Sequence, residues 1–194
     1  MSASFEHAEY LVSTKFFSPL GRKFYIYDPR GSVAFFAKMK PFKLMEDIRL
    51  YTGEDMQSES LCLKCRKLFE LSSHTFDVYD STANNVKIGA MQRKTFKSML
   101  RDEWLILDEN DKEIGAVKED SMALALVRRF LTNLIPQKYS GTIRGKEVCT
   151  FKQNFNPFLL KIKLDFRKDY NKELDRRLGI AAAVLLCAVE RRQG

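Results

Sequence analysis

Residues 178–189 read LGIAAAVLLCAV, twelve consecutive positions without a charge. As a helix this stretch is about 18 Å long, whereas crossing the hydrocarbon core of a bilayer takes roughly 20 residues. Arg176 and Arg177 on one side and Glu190, Arg191 and Arg192 on the other prevent its extension. A surface helix carries one apolar stripe, but this one is apolar on every face, so it must be enclosed on all sides. If no membrane encloses it, a sheet must. Its length matches the height of a barrel built from strands of about five or six residues. A barrel of a dozen strands is too wide for its own side chains to fill, and a helix along the axis fills it. Gly179, Ala181, Ala182 and Ala183 keep that helix slim where the wall is close. The expected fold is therefore mainly β: a closed antiparallel barrel of about 12 strands enclosing a hydrophobic C-terminal helix, roughly 173–190.

The rest of the chain supplies the strands. Three stretches share one pattern, in which an apolar run ends in Asp, turns, and returns to a Lys or Arg: 24–38 (FYIYDPRGSVAFFAK), 76–94 (FDVYDSTANNVKIGAMQRK) and 104–120 (WLILDENDKEIGAVKED). Asp28, Asp80 and Asp108 are placed to hydrogen-bond the backbone ahead of them, and each stretch reads as a hairpin. A weaker fourth copy is 139–152, with Gly145 at its turn. Segments 10–15, 43–51, 60–67 and 158–166 alternate in the period-two manner of half-buried strands. One further helix, 122–134, is capped by Asp120 or Ser121 and stopped by Pro136, and is expected outside the barrel. At 194 residues the chain is expected to form one domain, 1–194, with 1–20 as a loosely attached N-terminal segment. A hydrophobic share of 45% with 15 Phe excludes a disordered chain.

These hairpins, the segment DSMALALVRRF at 120–130, Asn156-Pro-Phe158 and the ending LDRRLGIAAAVLLCAVERRQG together resemble the tubby-like superfamily, in particular the LURP-one-related proteins and the phospholipid scramblases. The resemblance runs from about residue 24 to the end. It implies a 12-stranded barrel around a hydrophobic helix, which the residues alone also give. Function is less well defined by it, since tubby proteins bind phosphoinositides, scramblases are linked to lipid movement and the LURP-one relatives to plant defence. Scramblases carry an acidic calcium loop before the last helix. The matching stretch here runs from Asp165 to Glu173; counted from Asp165, the third place is Arg167 and the twelfth, beyond that stretch, is Arg176, so calcium binding is not expected.

The opening MSASFEHAEYLV lacks the basic and apolar regions of a secretory signal. Cys62, Cys65, Cys149 and Cys187 are too few for a disulfide scaffold and read as reduced thiols of a cytoplasmic protein, peripheral at membranes at most. The Cys62-Leu-Lys-Cys65 spacing is that of a zinc half-site or a redox pair, but in a strand residues three apart point to opposite faces and could not grip one ion. With two histidines and no nucleophile motif or phosphate loop, no catalytic residue, metal site or cofactor is expected. The carboxylates Glu46, Asp47, Asp108, Glu109 and Asp111 sit in or beside turns.

Charge gives the functional lead. The net charge is +8, and the basic residues cluster at Lys38, Lys40 and Lys43; at Lys64, Arg66 and Lys67; at Arg93, Lys94 and Lys97; and at Arg128 and Arg129. If the first three groups converge they form a basic barrel face that attracts anionic phospholipid head groups or an acidic protein partner, and the chain is a non-enzymatic binding module. The plain alternative is an evenly mixed, solvated surface, because Asp and Glu are interspersed in the same regions. Nucleic-acid binding and a small-molecule carrier or enzyme with an unrecognised site are the rival functions.

Overall fold

In a computed structural model of the chain, residues 3–15, 21–39, 47–66, 73–94, 103–120, 136–154, 156 and 158–189 are described. Twelve strands run in sequence: β1 (Glu9–Lys15), β2 (Arg22–Tyr27), β3 (Val33–Met39), β4 (Ile48–Tyr51), β5 (Glu59–Cys65), β6 (Ser73–Asp80), β7 (Val86–Lys94), β8 (Glu103–Leu107), β9 (Glu113–Glu119), β10 (Lys138–Ile143), β11 (Lys146–Gln153) and β12 (Leu159–Asp165). Each pairs antiparallel with its neighbours in sequence, and β1 pairs with β12 from Glu9 opposite Asp165 to Lys15 opposite Leu159, which closes the barrel. Helix α1 (Arg176–Val189) lies inside. The expected outer helix, 122–134, lies outside the described residues.

Alternation decides which side of the wall each residue faces. Tyr10 and Val12 of β1, Phe24 and Ile26 of β2, Phe35 and Ala37 of β3 and Leu160, Ile162 and Leu164 of β12 face inward and are almost fully buried. From Leu178 to Ala188 every side chain of α1 that has one is 3% exposed or less. That is the enclosure its all-round apolarity demands. Outward positions of β4, β5, β6 and β12 carry Arg49, Lys64, Asp77, Lys161 and Lys163, charges foreign to the apolar outer band of a transmembrane barrel. Among the described residues no helix is long and apolar enough to cross a membrane.

The hairpin turns follow their sequence. Asp28 Oδ1 accepts from the amides of Arg30 and Ser32, and Asp108 Oδ1 from those of Asn110 and Lys112, all at 2.9 Å. Asp80 Oδ1 accepts from Thr82 N at 2.9 Å and Thr82 Oγ1 at 2.6 Å. Positive φ falls on Asn84 and Asn85 (53° and 54°) and on Asp111 (66°), residue types that tolerate the left-handed region. A register shift interrupts the β2–β3, β4–β5, β6–β7, β8–β9 and β10–β11 ladders, for example between Ile26 and Tyr27 and between Val78 and Tyr79. Such bulges bend and twist their strands, as closure requires.

Two expectations are corrected. Of the segment 1–20, expected to be loosely attached, residues 3–15 are built into the barrel: β1 forms its seam, and Phe5, 1% exposed, stacks on Phe35 at 4.5 Å. The last helix starts at Arg176, not at 173, because two carboxylates hold the preceding residues in turns. Asp175 is the N-cap, its Oδ1 accepting from Arg177 N at 2.9 Å. Asp169, 5% exposed, accepts from the amides of Glu173 and Leu174 at 2.8 and 3.2 Å and from Arg176 Nη1 at 2.7 Å. Gly179 is required where the wall comes close, since a Cβ there would lie 2.3 Å from the Phe166 ring. At the far end Arg22 Nη1 donates to the Ala188 carbonyl at 2.8 Å and satisfies one of the open carbonyls of the last turn.

Aspartates on the outer wall and at the strand ends make the fold acid-sensitive. Burial raises the Asp77 and Asp80 carboxyls, but hydrogen bonds outweigh it, from Arg66 and Lys87 for Asp77 and from Thr82 for Asp80, the latter joined by the charge of Arg177; both stay below the usual range. Asp111 is lowered by hydrogen bonds from Lys87 and Arg66, and Asp165 by one from Arg167. A carboxylate with a depressed folded-state pKa contributes stability that is present above its unfolded value, about 3.9, and lost as pH falls through the folded value. The denaturation midpoint is expected to be nearly flat from about pH 7 to 5 and to fall steeply below about pH 4. Urea melts across that range check it, and a midpoint that holds down to about pH 2 contradicts it.

Candidate functional site

Among the described residues, the sequence-derived basic residues do not gather on one open face. Lys40, Lys43, Lys67 and Lys97 lie outside the described residues, as do Arg128 and Arg129. Arg66 spans two acids, Asp77 at 2.5 Å and Asp111 of the β8–β9 turn. Lys94 pairs with Glu103 at 3.1 Å, and Lys118 reaches the same carboxylate at 3.5 Å. Arg93 stands opposite His74 and Trp104 in register, on the side of the wall that faces the core. Lys64 is exposed on β5, directly opposite Asp77. Lys38 has a different setting.

Lys38 is exposed near the end of β3 and lines a cleft of about 1060 Å³ on the outer wall, where β12, β1, β2 and β3 lie side by side. Lys23, Lys161 and Lys163 line the same cleft, and so do Tyr25 and Tyr27, stacked with centroids 6.2 Å apart. The register builds it. Lys161 lies opposite Ser13, which lies opposite Tyr25; Lys163 lies opposite Leu11, which lies opposite Tyr27. Leu11 and Ser13 form a low floor between walls of lysine and tyrosine.

Its charges are partly met. Lys163 pairs with Glu9 at 2.9 Å, and Lys23 lies 3.9 Å from Glu54. Tyr25 Oη donates to the same Glu54 at 3.1 Å; burial and then that bond raise the Tyr25 hydroxyl above its ordinary pKa. Lys38 and Lys161 have no acidic partner among the described residues. Lys38 also stands directly opposite Lys23 in the β2–β3 ladder. Like charges facing each other across two strands destabilise a sheet.

Lys23, Lys161 and Lys163 escaped the reading of charge clusters along the chain. Lysines at alternate positions of LLKIKLD mark an outward row on one strand, and folding 24–38 about Asp28 puts Lys23 across from Lys38. Those signals were in the sequence, but the register that joins β12 to β1 was not.

Other chemistry finds little support. Cys65 faces the core cluster and Cys62 the opposite side of β5, and burial raises both thiols, which makes them poor nucleophiles and metal ligands. Cys149 is raised by burial as well. Among the described residues no three His, Cys, Asp or Glu side chains come together as a metal site. In the stretch compared with a calcium loop, the Asp165 carboxylate is engaged by Arg167 at 2.5 Å and that of Asp169 by Arg176 at 2.7 Å. Comparison of the chain with protein-family models, with curated proteins and with solved structures gave no match.

Proposed function

We propose that the chain is a non-enzymatic binding module of the tubby-like type whose outer-wall cleft receives anionic phospholipid head groups. One observation carries this reading: Lys38 faces Lys23 directly, and neither Lys38 nor Lys161 meets an acid among the described residues, although all three line one cleft. Lysine ammonium groups around a concave surface suit phosphate oxygens. The closed barrel around an apolar helix is the fold that the tubby-like resemblance implies, and it supports the same reading. With α1 filling the interior, binding is left to the outer wall.

The test is sedimentation with vesicles of phosphatidylcholine alone and with added phosphatidylserine and a phosphoinositide, across a salt series and with duplex DNA as competitor. Salt-sensitive binding to the anionic vesicles that DNA does not displace is the expected result. Each lysine near an anionic surface contributes about 1 kcal/mol, so Lys38→Ala combined with Lys161→Ala is expected to weaken vesicle binding about thirtyfold. Displacement by DNA would assign the cleft to nucleic acid, and failure to bind any anionic vesicle at physiological salt would overturn the proposal.

A further inference from the structure

Phe158, immediately before β12, is 80% exposed. Its tip is pinned by two asparagines: Asn156 Oδ1 accepts from the amides of Phe158 and Leu159 at 2.8 and 2.9 Å, while Asn154 Oδ1 accepts from Lys161 N at 2.6 Å and Asn154 Nδ2 donates to the Leu159 carbonyl at 3.1 Å. The segment thus holds a large apolar ring in water by its own hydrogen bonds. The next residues along the chain, Leu159 and Lys161, line the lysine cleft.

The other exposed apolar side chains have different surroundings. Val33, Met56 and Val86, between 41% and 55% exposed, stand at separate hairpins at the opposite end of the barrel, where scattered single residues are ordinary. Tyr170, 89% exposed, is also at that end, and the cations around it are satisfied: Arg167 by Asp165 and Glu9, Lys168 by Glu147, and Lys172 by Glu6. Among the described residues, an exposed aromatic ring a few positions from a lysine without an acidic partner, Lys161, occurs only at Phe158.

We infer that Phe158 is a membrane anchor: it inserts into the interfacial layer of an anionic bilayer whose head groups occupy the adjacent cleft. This rests on the head-group reading above, and it commits the partner to a lipid surface. A soluble anion would satisfy the lysines and leave the ring in water. A bilayer satisfies both, because its head groups lie directly above an apolar layer that accepts aromatic rings.

The chain has a single tryptophan, Trp104, 2% exposed in the core, so Phe158→Trp introduces one solvent-exposed reporter. On vesicles of phosphatidylcholine with phosphatidylserine and a phosphoinositide, its emission is expected to shift to shorter wavelength, whereas a Tyr170→Trp reporter does not shift. Phe158→Ala is expected to weaken binding to those vesicles about tenfold and to leave the thermal melt unchanged. Sedimentation with anionic vesicles but no shift of the reporter overturns the anchor and leaves the head-group cleft standing. No sedimentation at all overturns both.

Discussion

A Leu185→Asp variant is expected to give no folded protein. Leu185, in the C-terminal half of α1, is fully buried in the core that the barrel wall encloses. Truncating a buried leucine costs about 2–5 kcal/mol through lost contacts and the cavity left behind. A carboxyl with no hydrogen-bond partner adds about 2–7 kcal/mol even when it is protonated, and more when it is charged. Together these match the whole stability of a typical domain, about 5–15 kcal/mol. Ala182→Asp is expected to fail for the same reason. Leu185→Ala, which pays only the packing part, should stay folded with a lower melting temperature. Expression, circular dichroism and a thermal melt decide it, and a soluble Asp variant with an unchanged melting temperature would show that the helix is not enclosed.

The second large effect is expected at Asp169. Its side chain is 1% exposed and accepts three hydrogen bonds, from Glu173 N, Leu174 N and Arg176 Nη1, while the Arg176 guanidinium lies over the Phe166 ring at 4.3 Å. Removing one partner of a buried ion pair leaves the other charge uncompensated and costs about 3–5 kcal/mol. Asp169→Ala also frees two amides that the turn into α1 depends on. Asp169→Asn retains an acceptor and is expected to lose less. Urea denaturation of the two variants gives the comparison. Equal stabilities for Asp169→Ala and the parent protein would mean that the contact does not fix where the helix begins.

The hairpins were legible because their determinants are local. Asp28, Asp80 and Asp108 bond amides two to four residues ahead, and alternation then assigns each side chain to a face. The enclosed helix was legible for a different reason: an all-round apolar segment admits only one kind of environment. The start of that helix was not, because Asp169 overrides the helical preference of 173–175 through bonds to backbone and to Arg176.

The site was only partly legible, since charge read along a chain says nothing of what neutralises it. Arg66 looks free beside Lys64, yet its acids come from β6 and from the β8–β9 turn, 11 and 45 positions away. The cleft is harder still. Lys161 and Ser13 are neighbours only through the pairing of the first strand with the last, and Lys38 joins them from β3.

That pairing of first with last, together with the position of α1 after all twelve strands, affects how the protein can be made. On the ribosome, Glu9–Lys15 emerges before the other eleven strands; β2 follows at once on one side, but its partner on the other side, Leu159–Asp165, is the last strand to be synthesised. The helix that fills the interior comes later still. The interior is filled only once α1 is present and the wall closed only once β12 is, so the barrel cannot be completed strand by strand as it appears. Its inward faces, with Phe24, Phe35, Phe76 and Phe151 among them, stay uncovered until α1 has emerged. Folding is therefore late, dominated by contacts distant in sequence, and slow for the chain's size. Meanwhile the cell must keep those rows of phenylalanine apart from other unfinished chains.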